Sequence, residues 1–84
     1  MKQVFLDVRH PDEFSNDGIT GSINIPHYTI MNNLSQLSED SEIFVYCQTG
    51  VRAELITKIL ESLGFSVKNI KTINHAKNRQ NEIL

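Results

Sequence analysis

The stretch EIFVYCQTGVRAELITKILESLGF, residues 42–65, places a strand signal directly before a helix signal. Residues 42–47 are dense in β-branched and aromatic side chains, which is typical of a buried strand. From residue 51 the apolar side chains recur at helical spacing, and Gly64 is the expected end of that helix. The single cysteine of the chain, Cys47, therefore lies where the predicted strand ends.

Weaker signals surround this unit. An i, i+4, i+7 apolar spacing that starts at Ile30 predicts an amphipathic helix over residues 27–37. The polar segment 9–18 predicts a loop with one helical turn over residues 11–15. The polar segment 74–84 is expected to be a tail or a frayed helix. Short apolar runs predict three more strands, over residues 3–8, 22–26 and 65–73.

Strands that alternate with helices predict an α/β fold, with a mainly parallel sheet of about four to five strands flanked by helices. A chain of 84 residues is expected to form one domain, over residues 1–76, with a polar C-terminal tail over residues 77–84. Ligands of parallel sheets bind beyond the carboxyl ends of the strands. Cys47 is therefore expected at the functional edge of the sheet.

The composition of the chain argues against several classes of protein. A net charge of −2 and a pI near 5.8 argue against nucleic-acid binding, which usually uses a basic face. One cysteine forms no internal disulfide and suits a reducing compartment. There is neither a signal-peptide pattern nor a run of roughly 18 apolar residues, and the histidines lack metal-ligand spacing. We expect a cytoplasmic monomer without metal, cofactor, membrane or nucleic-acid partner.

The surroundings of Cys47 suit a reactive thiol. A free thiol titrates near 8.5, so a thiolate at neutral pH needs about 2 kcal/mol of added stabilisation. The helix start and the amides of the turn can supply this energy. Gly50 can adopt φ > 0, which lets the amides converge, and Arg52 adds a fixed positive charge. The alternative role of a lone cysteine is a small buried hydrophobe, which Gly50 and Arg52 disfavour.

Two motifs resemble the rhodanese family, sulfurtransferases that carry sulfane sulfur on a cysteine. FLDVRHPDEF…GITGSINIP, residues 5–26, resembles the family's strand, "DVR", "EF" and G-H-I-x-G-A-x-N-I-P signature. VYCQTGVRA, residues 45–53, resembles its active-site loop, Cys-x-x-Gly-x-Arg at a strand end. SLGFSVKNI, residues 62–70, is similar to its L-G-F-x-x-V stretch, so the likeness covers most of residues 4–70. The resemblance implies a small three-layer rhodanese-like fold.

The resemblance also implies that Cys47 is the catalytic residue. It would attack the outer sulfur of a small donor, thiosulfate or a persulfide, and become a persulfide itself. A thiol or cyanide would then accept that sulfur. The residues of the loop would bind the substrate, and their amides would stabilise the anionic sulfur. These substrate-binding residues are Gln48, Thr49, Gly50, Val51 and Arg52.

Charged residues near the first strand are the expected support. Asp7 or Glu13 is expected to pair with Arg9 or Arg52 and so to orient the active loop. The alternative is a structural ion pair or solvated charges, and the structural role is favoured for Asp7 and Arg9. For Arg52, bracing the loop is slightly favoured over steering an anionic donor, because an arginine in a tight turn is often committed to a carboxylate.

The chain departs from the family pattern at three places. Gly18 stands where the family usually has histidine, and Ser22 stands where many members have alanine. IKTINHAK, residues 70–77, lacks the glycine pair and the tryptophan of L-x-G-G-x-x-x-W. These departures bear on the sheet and on the pocket wall near residues 72–77, and they leave the nucleophile unchanged.

Two other functions stay open. A cysteine-based phosphatase or arsenate reductase uses a related loop, but four residues separate Cys47 from Arg52, and phosphate-handling loops usually carry five. A phosphoryl group needs the wider cradle, so the loop length favours sulfur. The chain is alternatively a sulfur carrier or binding module for a specific protein partner, since the loop interior is uncharged apart from Arg52.

Overall fold

Four parallel strands form the sheet within residues 2–83, the part of the chain that the computed structural model describes, with side chains for residues 2–79. All neighbouring pairs are parallel, with Leu6 opposite both Ile23 and Val45. The predicted α/β class and parallel sheet are confirmed. In chain order the strands are β1 (Lys2–Asp7), β2 (Ile23–Asn24), β3 (Ser41–Cys47) and β4 (Ser66–Thr72), and their order in the sheet is β2–β1–β3–β4.

Helices cover both faces of this sheet. Along β3 the side chains alternate: Ile43, Val45 and Cys47 pack in one apolar cluster with the long helix after the loop. Tyr46 points the other way, into a second cluster with Ile73 and Ala76 of the last helix. The result is the expected three-layer arrangement. The α-helices are α1 (Pro11–Asp17), α2 (Val51–Ser62) and α3 (Ile73–Ile83).

The helix α1 is longer than the single predicted turn. His10 and Glu13 form a capping box, in which the His10 ring accepts from the Asp12 N–H and the Glu13 carboxylate accepts from the His10 N–H. At the other end, the N–H of Gly18 donates to the carbonyl of Phe14 at 2.8 Å. A Cβ on Gly18 would lie 2.5 Å from the Phe14 ring, so only glycine fits where the helix closes.

The predicted amphipathic helix over residues 27–37 does not form as one continuous helix. The segment forms two 3₁₀ helices, His27–Asn32 and Leu34–Gln36. The Thr29 hydroxyl donates to the carbonyl of Pro26, and the Asn33 side-chain amide donates to the carbonyl of Thr29. These side chains compete with the backbone for the bonds that an α-helix would need. The apolar spacing still marks core residues, because Ile30 and Leu37 are buried.

The C-terminal segment is helical, with Ile73 and Ala76 buried in the first turns of α3. The predicted boundary between a domain over residues 1–76 and a tail over residues 77–84 falls inside this helix and stays a prediction. The side chains of residues 80–84 lie outside the described part. Among the described residues, no helix combines the length and the hydropathy that a bilayer crossing requires.

Candidate active site

Cys47 ends β3 at the carboxyl edge of the sheet, buried under the loop that leads into α2. Its Sγ atom accepts a hydrogen bond from the N–H of Gly50 at 2.9 Å and a longer one from the N–H of Ala53 at 3.4 Å. Both donors belong to the start of α2, where backbone N–H groups have no partner within the helix. The sulfur therefore lies in a cradle of main-chain donors, which are the groups that form charge-assisted hydrogen bonds to anions.

The shape of the loop depends on Gly50. This residue has φ +95° and precedes the first residue of α2. A left-handed conformation is readily adopted only by glycine, and here it turns the Gly50 N–H back toward Sγ. The sequence predicted this φ > 0 turn. Within the described residues, Gly50 is the one loop amide among positions 48–52 that donates to Sγ. The substrate-binding roles of all five residues stay predictions.

Ala53 was not singled out by any sequence signal. It is the third residue of α2, and its side chain is buried. A free N–H at the third position of a helix follows from helix geometry alone. The direction of that N–H toward Sγ depends on how α2 docks on the sheet. A sequence-based search for the cradle would have to include the first helical turn as well as the loop.

Arg52 is committed to a carboxylate. Its guanidinium donates to Glu13, from Nη1 to Oε1 at 3.0 Å and from Nη2 to Oε2 at 3.2 Å. The hydrogen bond from Arg52 lowers the pKa of Glu13, and the same bond raises the pKa of Arg52. Both side chains are about one-third exposed. Of the pairings that the sequence left open, this one braces the loop against α1.

Arg9 lies at the centre of a buried polar cluster beside the loop. Its Nη2 donates to Oδ2 of Asp7 at 2.8 Å and its Nη1 to Oδ1 of Asp17 at 2.8 Å. The same Nη1 also donates to Oε1 of Gln48 at 3.1 Å, which links the cluster directly to the residue after Cys47. Burial alone would lower the pKa of Arg9, but the hydrogen bonds to Asp7 and Asp17 outweigh it and raise the pKa.

Asp7 and Arg9 thus lie where the sequence placed them, at the same sheet edge as Cys47. Asp7 is fully buried and Arg9 is 1% exposed, so their charges are neutralised by each other and not by water. The sequence pointed to Asp7 and Arg9 but not to Asp17 or Gln48 as partners. Their contacts are those of the expected structural ion pair, and the hydrogen bond from Arg9 to Gln48 connects this pair to the loop.

Ser22, one of the departures from the family pattern, closes a second buried network. Its hydroxyl donates to the carbonyl of Ile19 at 2.6 Å, which leaves its oxygen to accept from the Tyr46 hydroxyl at 3.1 Å. The Tyr46 hydroxyl in turn accepts from the N–H of Ile19 at 3.3 Å. Burial raises the pKa of Tyr46. The network ties the turn after α1 to β3, one residue before Cys47.

A metal centre finds no support in the described residues. No three side chains among their histidines, cysteine, aspartates and glutamates come close enough to hold an ion together. The carboxylates near the loop are engaged by arginine side chains instead, as Glu13 is by Arg52 and Asp7 by Arg9.

Comparisons with known proteins agree with this geometry. The description "Rhodanese-like domain" belongs to the family whose profile matches residues 1–75. A crystal structure of a rhodanese-related protein from Thermoplasma volcanium has a TM-score of 0.76 and 30% identity, and the match covers 83% of this chain and 68% of that chain.

Two sequence relatives carry names that refer to sulfur chemistry. "Putative sulfur carrier protein YrkF" of Bacillus subtilis (strain 168) is 32% identical over 60 residues, which cover 71% of this chain and 32% of that protein. "Putative thiosulfate sulfurtransferase, mitochondrial" of Schizosaccharomyces pombe is 32% identical over 80 residues, covering 80% and 55%. The chain thus spans about a third and about half of their lengths. By the match over residues 1–75, the chain belongs to the rhodanese-like domain family.

Proposed function

We propose that the protein is a sulfurtransferase that carries sulfane sulfur on Cys47. The thiolate of Cys47 attacks the outer sulfur of thiosulfate, a bond forms between the two sulfurs, and the S–S bond of thiosulfate breaks with its electron pair leaving on sulfite. The products are a Cys47 persulfide anion and sulfite, so atoms and charge balance. In the second half-reaction cyanide or a thiolate takes the outer sulfur, giving thiocyanate or a new persulfide and restoring the Cys47 thiolate.

The observation that carries this proposal is the cradle around Sγ. The hydrogen bonds from Gly50 and Ala53 favour negative charge on the sulfur, which is the state that a nucleophilic thiol needs. In the persulfide the negative charge moves to the outer sulfur. The remaining amides of residues 48–52 are then the nearest candidates to stabilise it, in the manner of an oxyanion hole.

Burial of Cys47 gives the reaction a further requirement. The side chain has no solvent exposure in the resting loop, so the side chains over it must move aside for a donor. Arg9 and Arg52 anchor the two ends of the loop through Gln48 and Glu13. We therefore place the movement in the middle of the loop, at Thr49 and Val51, because the described hydrogen bonds of Arg9 and Arg52 restrain only its two ends.

Intact-mass measurement tests the proposal directly. After incubation with thiosulfate and removal of the excess, the protein should gain the mass of one sulfur atom, and cyanide should remove that mass and yield thiocyanate. Cys47 is the single cysteine of the chain, so the Cys47→Ser variant should gain nothing. A sulfur gain in that variant would overturn the assignment, as would a wild-type protein that gains no sulfur from thiosulfate or from a low-molecular-weight persulfide.

The second candidate is a sulfur carrier that serves a specific protein. Val51 and Leu55 lie one helical turn apart at the start of α2 and are 71% and 54% exposed, so apolar surface borders the loop. The name of the YrkF relative points the same way. A carrier would form the persulfide readily in the mass experiment but turn over thiosulfate and cyanide slowly, whereas an enzyme for small substrates would do both.

The phosphatase alternative is tested in the same preparation. An aryl phosphate should remain intact in the presence of the wild-type protein, because the four-residue spacing between Cys47 and Arg52 leaves little room for a phosphoryl group. The commitment of the Arg52 guanidinium to Glu13 also removes the charge that a phosphate would need. Hydrolysis of the aryl phosphate without sulfur transfer would favour the phosphatase over the sulfurtransferase.

A further inference from the structure

Two neighbouring cavities open beside the Cys47 loop, between the end of β4 and α3. One of about 340 Å³ is bordered by the loop at Thr49, Gly50 and Val51. The next, of about 410 Å³, continues along α3. Both are lined by Asn69, Lys71 and His75, so the two form one groove that leads to the loop. These side chains have no part in the cradle around Sγ.

The two arginines next to the loop are already paired with carboxylates and are not available to bind an anionic substrate. Arg52 is held by both oxygens of Glu13, and Arg9 is buried between Asp7 and Asp17. In contrast, within the described residues the ammonium group of Lys71 forms no ion pair with a carboxylate. Lys71 is an exposed residue that lines both cavities.

The carboxylate that also borders the groove does not neutralise Lys71. Glu54 lines the cavity nearest the loop, and its Oε1 lies 3.4 Å from the ammonium group of Lys58, one turn further along α2. His75 adds a polar wall, with its Nδ1 2.7 Å from the hydroxyl of Thr72. Lys71 therefore borders the loop without a carboxylate partner among the described residues, and Arg79 lines the cavity that lies farther from the loop.

The backbone of Lys71 adopts an unusual conformation close to the loop. Lys71 has φ +68°, and it is the one residue other than glycine with positive φ in the described part of the chain. The side chain of Asn69 accepts from its N–H at 2.8 Å and holds the turn. A Cβ placed on Gly50 would lie 3.5 Å from the Cβ of Lys71, so the lysine packs directly against the loop glycine.

Turn geometry alone does not explain a lysine at this position. A left-handed conformation is adopted more readily by glycine or asparagine, and a strained residue beside a reactive group is a reason to look for a function. One residue, Gly50, separates Lys71 from Sγ, because its N–H donates to the sulfur while its Cα faces the lysine. An oxyanion whose outer sulfur approaches Cys47 would therefore come within reach of the ammonium group.

We propose that Lys71 is a specificity-determining residue that selects an anionic sulfur donor by holding its oxygens in the groove beside the loop. The inference rests on the proposed sulfurtransferase function and assigns charge recognition to a residue outside the Cys47–Arg52 loop. Thiosulfate, a dianion with three oxygens opposite its reacting sulfur, has the chemistry that such a site takes.

Steady-state kinetics with thiosulfate as the donor and 2-mercaptoethanol, a thiol without an oxyanion group, as the acceptor separate the two half-reactions. In a ping-pong reaction, kcat/KM for the donor reports only the first. The Lys71→Asn variant, which tolerates positive φ, should lower kcat/KM for thiosulfate about five- to tenfold, mainly through KM. It should leave kcat/KM for 2-mercaptoethanol within about twofold, because the attacking thiolate carries its charge on the reacting sulfur and has no oxyanion group for Lys71 to hold.

Two matched variants and the salt dependence complete the test. Lys71→Arg should stay within about twofold of the wild type, since it keeps the charge. Lys68→Gln removes an exposed charge from the same strand away from the groove and should also change little. Added salt should reduce the donor kcat/KM of the wild type more than that of Lys71→Asn.

Failure of the inference is distinct from failure of the function. If the wild type turns over thiosulfate and Lys71→Asn matches it, or if Lys68→Gln is equally impaired, Lys71 does not recognise the donor although Cys47 still transfers sulfur. An equal loss in both half-reactions would assign Lys71 a structural role and overturn the inference. If the wild type forms no persulfide, the sulfurtransferase function itself fails.

Discussion

The guanidinium of Arg52 faces the carboxylate of Glu13 through two parallel hydrogen bonds of 3.0 and 3.2 Å. Arg52 lies in the first turn of α2, and Glu13 lies in the first turn of α1, where its Oε1 also accepts from the N–H of His10 at 3.1 Å. One carboxylate thus completes a capping box and anchors the active-site loop. The fold of α1 and the geometry of the loop depend on the same side chain.

Replacement of Glu13 by glutamine should loosen the loop without undoing the helix cap, because glutamine also serves in a capping box. The pair is partly exposed, so we expect the free energy of unfolding to fall by only about 0.5–1 kcal/mol. The rate of persulfide formation should fall several-fold as the loop loses its brace. Asp12→Asn, which removes a neighbouring exposed charge, is the control, and equal rates in the two variants would contradict the bracing role.

The same pair predicts a dependence of stability on acid. The pKa of Glu13 is lowered from its ordinary value of 4.5, chiefly by the hydrogen bond from Arg52. A lowered folded-state pKa contributes stability that is present above the ordinary value and is lost as the pH falls through the folded value. In urea unfolding, the wild type should therefore exceed Glu13→Gln by a constant amount at pH 5–7 and by less below about 4.5. An equal difference at pH 3 and pH 7 would rule out this linkage.

The raised pKa of Tyr46 predicts that stability also falls at alkaline pH. Burial raises its pKa above the ordinary value of 10.0. A raised folded-state pKa contributes stability that is fully present below the ordinary value and is lost as the pH rises through the folded value. The wild type should therefore become easier to unfold above about pH 10, and Tyr46→Phe should lack that part of the slope.

At neutral pH, Tyr46→Phe should lower the free energy of unfolding by about 1–2 kcal/mol, because the N–H of Ile19 and the hydroxyl of Ser22 lose a buried partner. Tyr28→Phe is the matched control, since Tyr28 is 60% exposed. Chemical denaturation at pH 7 and pH 10.5 measures both effects. If the loss of stability at alkaline pH persists in Tyr46→Phe and disappears in Tyr28→Phe, Tyr46 is not the residue responsible and the prediction is contradicted.

Alanine substitutions at two glycines with nearly the same backbone conformation distinguish a loss of stability from a loss of function. Gly50 has φ +95° and Gly64 has φ +96°. Alanine at either position should cost about 1–2 kcal/mol of stability, because a Cβ disfavours the left-handed region. Only Gly50→Ala should also slow persulfide formation, since the N–H that donates to Sγ belongs to Gly50 and depends on its left-handed conformation. If the two variants are equally stable and form the persulfide at equal rates, Gly50 has no specific role in persulfide formation.

The buried pair of Asp7 and Arg9 should dominate stability near the site. Asp7→Asn leaves the Arg9 charge without its buried partner, and we expect a loss of about 3 kcal/mol in the free energy of unfolding. Asp17→Asn is the control, because Asp17 contacts the same guanidinium but is 39% exposed, and its loss should stay below about 1 kcal/mol. Thermal and urea unfolding measure both. A larger loss of stability in Asp17→Asn than in Asp7→Asn would show that Asp17 is the main partner of Arg9 and would contradict the prediction.

Local patterns predicted the unit from residue 42 to residue 65 well. The strand was predicted over residues 42–47 and forms over Ser41–Cys47, and the helix was predicted from residue 51 and begins at Val51. Both elements have strong periodicity that agrees with their packing. The segment 27–37 failed because Thr29 and Asn33 form side-chain bonds to the backbone, an effect that apolar spacing does not report.

The helix α3 shows a second limit of local patterns. Residues 74–84 are polar, so a tail or a frayed helix was the natural expectation. The helix forms over Ile73–Ile83 with Ala76 fully buried against the face of the sheet that carries Tyr46. A small side chain in a polar segment carries little hydrophobic signal, and the surface that covers it comes from distant parts of the chain.

The sequence by itself determined that one thiol would end a parallel strand, that a glycine two residues before Arg52 would turn the chain back toward it, and that a helix would start there, because these features depend on neighbouring residues. Only the tertiary structure decided which acid each arginine binds and that Gln48 meets Arg9 across 39 positions of the chain. It also decided that Lys71 packs against Gly50. Such contacts depend on how strands and helices align in space, and residue spacing along the chain carries no record of that alignment.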